Sequence, residues 1–163
     1  MYDEKEIPKF IADHMNGDIA RWLRIAGFDC TYPHPDQTDD EILEAALREE
    51  RILLTSDKEL HSRALRKGIK SVDMNVYGIE AKMTKIFKEL NIEHLYGVLS
   101  PRCTACNGEL EKIYAMKVWH MLPPKVRRVH RYIYRCRSCG RLYWEGSHWK
   151  KIRETLRKVA RNL

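Results

Sequence analysis

Four of the five cysteines fall into two pairs of identical spacing, "CTAC" (Cys103, Cys106) and "CRSC" (Cys136, Cys139). Each C-x2-C supplies two thiolates from one tight turn, and two such turns facing each other complete a closed, tetrahedral zinc site. No other feature constrains the chain as much, because two separate turns must be brought face to face. Gly108 and Gly140 stand where knuckle turns call for glycine. Disulfides or redox dithiols are the competing reading. The opening "MYDEKEIPKF" lacks a secretory start, which argues against them. Cys30 stands alone and is expected to pack as a small apolar residue.

Charge divides the chain at the same place. Residues 1–100 carry 14 Lys/Arg against 19 Asp/Glu, net −5, and residues 101–163 carry 16 against 4, net +12. So basic a half implies a polyanionic partner, of which nucleic acid is the commonest in cells. No apolar stretch reaches the roughly 18 residues needed to span a membrane. We expect a soluble, cytoplasmic protein with two units, residues 1–99 and 100–163, meeting at "LSPRC".

Before that boundary, strand and helix patterns alternate. "KFIAD" (9–13) reads as a buried strand, and "GDIARWLRIAG" (17–27) as a helix with Ile19, Trp22, Leu23 and Ala26 on one face. "DCTY" (29–32) is a short strand. Thr38 and Glu41 form a capping box for a helix over 39–49. "RILLT" (51–55) is the next strand, followed by a helix to Lys67, a strand over 69–73 and a helix over 79–90. Such alternation predicts an α/β fold, a parallel sheet covered on both faces.

In open α/β sheets ligands bind at the carboxyl ends of the strands. Asp13, Asp57 and Asp73 end strands there, and Asp39 and Asp40 open a helix at the same rim. Taken singly, each acid is accounted for as a helix cap or a complement to a helix dipole. Taken together they fit a hard divalent cation, Mg²⁺ or Mn²⁺, which takes carboxylate oxygens and water and offsets the repulsion of clustered acids.

The succession "FIADHM", "DIARWLRIAGFD", "DDEILEAALREERILLTSD", two C-x2-C knuckles and "YWEGSHW" resembles the PIN-domain-like ribonucleases of the Mut-seven C-terminal RNase family, over roughly residues 9–150. The resemblance implies a PIN-like three-layer α/β/α domain followed by a small zinc ribbon. It also implies catalytic, metal-holding acids at Asp13, Asp39 and Asp57. Asp40 is the rival for the second position, Asp73 the candidate fourth acid, and Thr55 a residue that orients Asp57 or a water. Asn16 and Asp18 stand where the family tends to have apolar or basic residues.

With one or two ions held there, a water would attack the phosphodiester and the leaving 3′-oxygen would be stabilised, giving a 5′-phosphate. Arg21 and Arg24, near this rim, are candidate phosphate contacts. In the second unit Arg127, Arg128 and Arg131 alternate with aromatic residues, the mix that pairs phosphates and stacks unpaired bases. His148, in "GSHW", is a further candidate RNA contact. Tyr134 and Tyr143, beside the cysteines, are expected mainly to pack. The closing "KKIRETLRKVARNL" is a basic helix that either docks on the body or extends the RNA surface.

The expected function is therefore a metal-dependent ribonuclease with a structural zinc and a catalytic Mg²⁺ or Mn²⁺, acting on RNA, with room for a homodimer or protein partner. The alternatives are a noncatalytic RNA-binding zinc-ribbon protein and another metal-dependent phosphoryl-transfer enzyme.

Overall fold

The computed structural model describes residues 6–163; the first part of "MYDEKEIPKF", read above for its lack of a secretory start, lies outside the described residues. Four parallel strands, β1 (Lys9–Ala12), β2 (Cys30–Thr31), β3 (Arg51–Thr55) and β4 (Ser71–Asp73), lie in the order β2-β1-β3-β4. β3 is buried along its whole length, as a central parallel strand requires. Its alternating side chains supply both faces of the sheet.

Phe10, Ala12, Ile52 and Leu54 meet α1 (Gly17–Ile25) and α4 (Ile79–Glu89) through Ile19, Leu23, Met83 and Phe87. Ile11 and Leu53 meet α2 (Asp39–Arg48) and α3 (Lys58–Arg66) through Ile42, Leu43, Leu60 and Ala64. The capping box at Thr38 is formed in both directions, the Thr38 N–H donating to Glu41 Oε2 at 2.8 Å and the Glu41 N–H to Thr38 Oγ1 at 3.2 Å.

β2 is only two residues long, shorter than the sequence suggests, and its outer edge is covered by the second unit. The Cys30 N–H donates to Asn107 Oδ1 at 3.0 Å. A side-chain amide thus takes the place of a further strand and blunts an exposed edge. Cys30 packs in the core, and burial pushes its thiol up to about 12.

The basic segment folds around a second sheet, β5 (Leu110–Tyr114), β6 (Tyr132–Cys136) and β7 (Leu142–Tyr143), antiparallel in that order. Between β5 and β6 a kinked 3-10 segment (Ala115–Met121) and the short α5 (Pro124–Val129) close a small core of Ile113, Val118, Leu122, Val126 and Ile133. The last helix, α6 (Ser147–Asn162), docks on the body. Val159 is buried with Phe10, Phe28 and Phe87, and the Tyr96 hydroxyl donates to the Leu156 carbonyl at 2.6 Å.

The link between the units is tight. Gly27, at φ +96°, passes so close to residues 99–100 that a Cβ there would lie 2.4 Å from Leu99 Cβ and 2.8 Å from the Ser100 carbonyl oxygen. Arg51, Asp29 and Asn107 join the sheet to the first knuckle. Arg51 Nη1 donates to Asp29 Oδ1 at 2.7 Å, and Asn107 Nδ2 donates to the same oxygen at 2.7 Å. Burial raises the Asp29 carboxyl, but these hydrogen bonds outweigh it and hold the group below its ordinary value.

Candidate active site and metal centre

β1 runs out into Asp13 and β3 into Ser56 and Asp57, so these acids sit where the strand order reverses between β1 and its neighbours β2 and β3. This is the edge at which parallel sheets commonly bind ligands. Asp13 is 5 % exposed, and its carboxylate is held at both oxygens. Oδ2 accepts from the Thr55 hydroxyl, and Oδ1 accepts from Asn16 Nδ2 at 2.7 Å and the Met15 N–H at 3.1 Å. Thr55 Oγ1 in turn accepts the Asp57 N–H at 3.0 Å. One buried hydroxyl therefore connects the two strand-end acids.

Asp57 is the N-cap of α3, its Oδ1 accepting from the Glu59 and Leu60 N–H groups at 2.9 and 3.1 Å. Its side chain is exposed, and its second oxygen takes no hydrogen bond among the described residues. Asp73, at the end of β4 and opposite Thr55, accepts from the Asn75 N–H at 2.9 Å and from Asn75 Nδ2 at 2.7 Å. The Asn75 backbone bond is the main reason its carboxyl lies below the ordinary value. Asp39 is exposed on the first turn of α2, whereas Asp40 is taken up by an ion pair with Arg63.

These acids share the carboxyl edge of the sheet, yet their oxygens do not close into one compact set. Among the described residues, the only group of three or more His, Cys, Asp or Glu side chains close enough to hold a single ion is the four cysteines. Oxygen donors spread along a rim suit Mg²⁺ or Mn²⁺ held partly through water, since these ions keep several waters.

The site also contains residues to which the sequence assigned no role. Asn16 is fully buried and bridges Asp13 to Ser56 Oγ at 3.2 Å, while its own Oδ1 accepts from Lys82 Nζ at 3.1 Å. Lys82 also pairs with Asp18 at 3.3 Å. Asn16 and Asp18 are thus the points at which a lysine from α4 enters the rim.

The arginines expected at this rim separate. Arg21 is exposed, but Arg24 is buried: Nε donates to the Cys30 carbonyl at 2.9 Å and Nη1 to the Thr104 carbonyl at 2.8 Å. Instead of facing phosphate, Arg24 fastens the first knuckle to α1 and β2. Arg127 is likewise tied, donating to the Leu122 carbonyl at 2.8 Å and lying 5.7 Å from the Trp119 ring centre. Arg128 and Arg131 are exposed, as is His148 on the first turn of α6.

The four cysteine sulfurs lie within 4.8 Å of one another, with Cys103–Cys139 at 3.7 Å and Cys106–Cys136 at 3.4 Å. One knuckle precedes β5 and the other joins β6 to β7, the arrangement of a zinc ribbon. Gly108 permits the approach, because a Cβ there would stand 2.8 Å from Cys136 Sγ. Burial raises the Cys103 thiol, but the Tyr143 hydroxyl at 3.0 Å and the N–H groups of Cys106 and Ala105 draw it down to about 6. Four soft, closely set thiolates fit a structural Zn²⁺.

An α/β domain with a parallel sheet, fastened to a four-cysteine ribbon, defines the class of protein. The family model for the Mut7-C RNAse domain matches residues 8–156, so the chain belongs to that family. No curated protein and no solved structure matches it.

Proposed function

We propose that the protein is a metal-dependent ribonuclease whose PIN-like domain hydrolyses RNA at the Asp13–Asp57 crevice, while the zinc ribbon grips the strand. Membership of an RNase family supports the reaction class. The observation that carries the assignment of the site is the Thr55 hydroxyl shared by Asp13 and the Asp57 turn.

Asp13, Asp57 and Asp39 would hold Mg²⁺ or Mn²⁺, with Asp73 at the margin. When bound, the ion offsets phosphoryl charge and activates water. The chain's own part is to position. Thr55 and Asn16 fix the Asp13 carboxylate from both sides, Asp57 presents its free oxygen outward from a capped turn, and Lys82 supplies a cation at the edge of the crevice. Zinc at the four cysteines is structural in this reading and holds together the ribbon whose first knuckle is fastened to the body.

A second reading, a noncatalytic RNA-binding zinc-ribbon protein, draws support from Asp57 serving as a helix cap and Asp40 as an ion-pair partner. Cleavage of end-labelled single-stranded RNA against Mn²⁺ concentration separates the two. The ribonuclease reading expects metal-dependent cleavage that Asp13→Asn abolishes; the binder expects intact RNA at every concentration.

A further inference from the structure

Between α1, the 100–102 linker, the ribbon sheet and the start of α6 lies a cavity of about 440 Å³. Its wall draws on parts of the chain far apart in sequence: Arg21 from α1, Arg102 from the linker, Lys112 from β5, Tyr134 from β6, and Trp144 and Trp149 around the entry to α6. His148 also lines it, so Arg21 and His148, picked out separately in the sequence, meet at one place.

Two properties of this wall select a ligand. The first is flat aromatic surface: Tyr134 is 41 % exposed on the open face of the ribbon sheet, although it neighbours Cys136 and was expected to pack. The second is charge. Arg21, Arg102 and Lys112 line the cavity with one acid, Glu145, which is already paired with Arg153 at 2.5 Å. Arg102 also donates Nε to the Asn107 carbonyl at 2.9 Å and its charge acts on Asp29, so Arg21 and Lys112 are the surplus cations. Aromatic rings with surplus cations match a planar base attached to a phosphate, and the volume falls in the range of small-molecule sites.

The same face continues beyond the cavity. Lys112 Nζ lies 4.6 Å from the Tyr132 ring centre, and the Tyr132 ring lies tilted against Tyr114, centres 4.9 Å apart, across the β5–β6 pair. A strand leaving the cavity therefore meets further rings.

We infer that this junction cavity binds one unpaired nucleotide of the RNA, its base against Tyr134, Trp144 and Trp149 and its phosphate toward Arg21 and Lys112. The inference rests on the ribonuclease reading and deepens it by naming single-stranded RNA as the substrate class. α1 runs from the acid crevice toward the cavity, and its 9 residues span roughly 13 Å. The held nucleotide and the cut phosphodiester are then separate points on one strand.

The test uses the full-length protein and a ten-nucleotide single-stranded RNA carrying 5-iodouridine, without added Mg²⁺ or Mn²⁺. Photocrosslinked peptides are identified by mass spectrometry, and affinity is read by anisotropy. We expect crosslinks at Tyr134, Trp144 or Trp149, and Trp149→Ala to weaken binding about 5- to 150-fold, the range of one lost base stack. Trp149→Phe, which keeps a ring, should restore most of it. Arg21→Ala, on an exposed helix position, should lower the salt dependence of binding.

Crosslinks confined to other surfaces, or unchanged affinity for folded Trp149→Ala and Arg21→Ala, would overturn the cavity as a base site. Should the wild type then still cleave RNA with Mn²⁺, the ribonuclease reading survives that loss. Crosslinks in the cavity without cleavage would uphold the site and overturn the nuclease. Neither binding nor cleavage would remove both.

Discussion

Thr55 reaches across from β3 to Asp13 at the end of β1, donating its hydroxyl hydrogen to Oδ2 while its oxygen receives the Asp57 N–H. Thr55→Val keeps the shape and removes both bonds. It should cost about 1–3 kcal/mol of stability, because a buried carboxylate loses a donor. Cleavage should fall at least tenfold, and Thr55→Ser should recover most of it. Chemical denaturation beside a cleavage assay measures both; full activity in Thr55→Val would detach the hydroxyl from the site.

Asp57 has two roles that one substitution separates. Asparagine is as good an N-cap as aspartate but cannot offer a hard cation a full charge. Asp57→Asn should therefore retain thermal stability and RNA affinity while nearly abolishing cleavage. Wild-type cleavage by pure Asp57→Asn protein would leave the residue only its capping role.

The junction between sheet and knuckle should be sensitive to acid. The folded Asp29 carboxyl lies below its ordinary value near 3.8. Its contribution is present above the unfolded value and is lost as pH falls through the lowered folded value. Asp29→Ala should remove that pH dependence and destabilise by about 2 kcal/mol at neutral pH, less than for a fully buried pair because the carboxylate is partly exposed. Acid unfolding curves of the two proteins, matched at one salt concentration, provide the check.

Metal retention should separate the two sites. Brief chelation and desalting should strip activity while about one zinc per chain remains, and Mn²⁺ should restore it. Gly108→Ala and Cys136→Ser should instead lower zinc content, because the first puts a methyl group against Cys136 Sγ and the second removes a ligand. Elemental analysis decides; activity that followed zinc and ignored Mn²⁺ would reverse the assignment.

The ribbon arginines should divide. Arg128→Ala with Arg131→Ala should weaken RNA binding and reduce its salt dependence, each lost phosphate contact releasing about one fewer counterion. Arg127→Ala should mainly destabilise the 115–129 segment, since its guanidinium holds the Leu122 carbonyl. Salt-dependent binding and hydrogen exchange distinguish the two effects.

Local chemistry is what the sequence displayed best. The cysteine spacing gave the ribbon's metal set, the run "RILLT" gave a central strand, and Thr38 with Glu41 gave a capping box that forms as read. Side chains whose partners lie far along the chain were hidden. Arg24 reads as a polar-face residue of α1, and only Thr104, 80 residues later, makes it a buried fastener. Asn16 depends in the same way on Lys82. Residues 115–129 carry too short a pattern to announce a helix, although Pro123–Pro124 would have marked its start.

Val159 lies in the same core as Phe10, with the whole ribbon between them in sequence. That places a rule on the order of assembly during synthesis. The face formed by α1 and α4 waits for a cover that is translated only after every ribbon residue, so the first layers begun are among the last to be sealed. A chain halted inside the ribbon would leave that face around Phe87 and Tyr96 without α6.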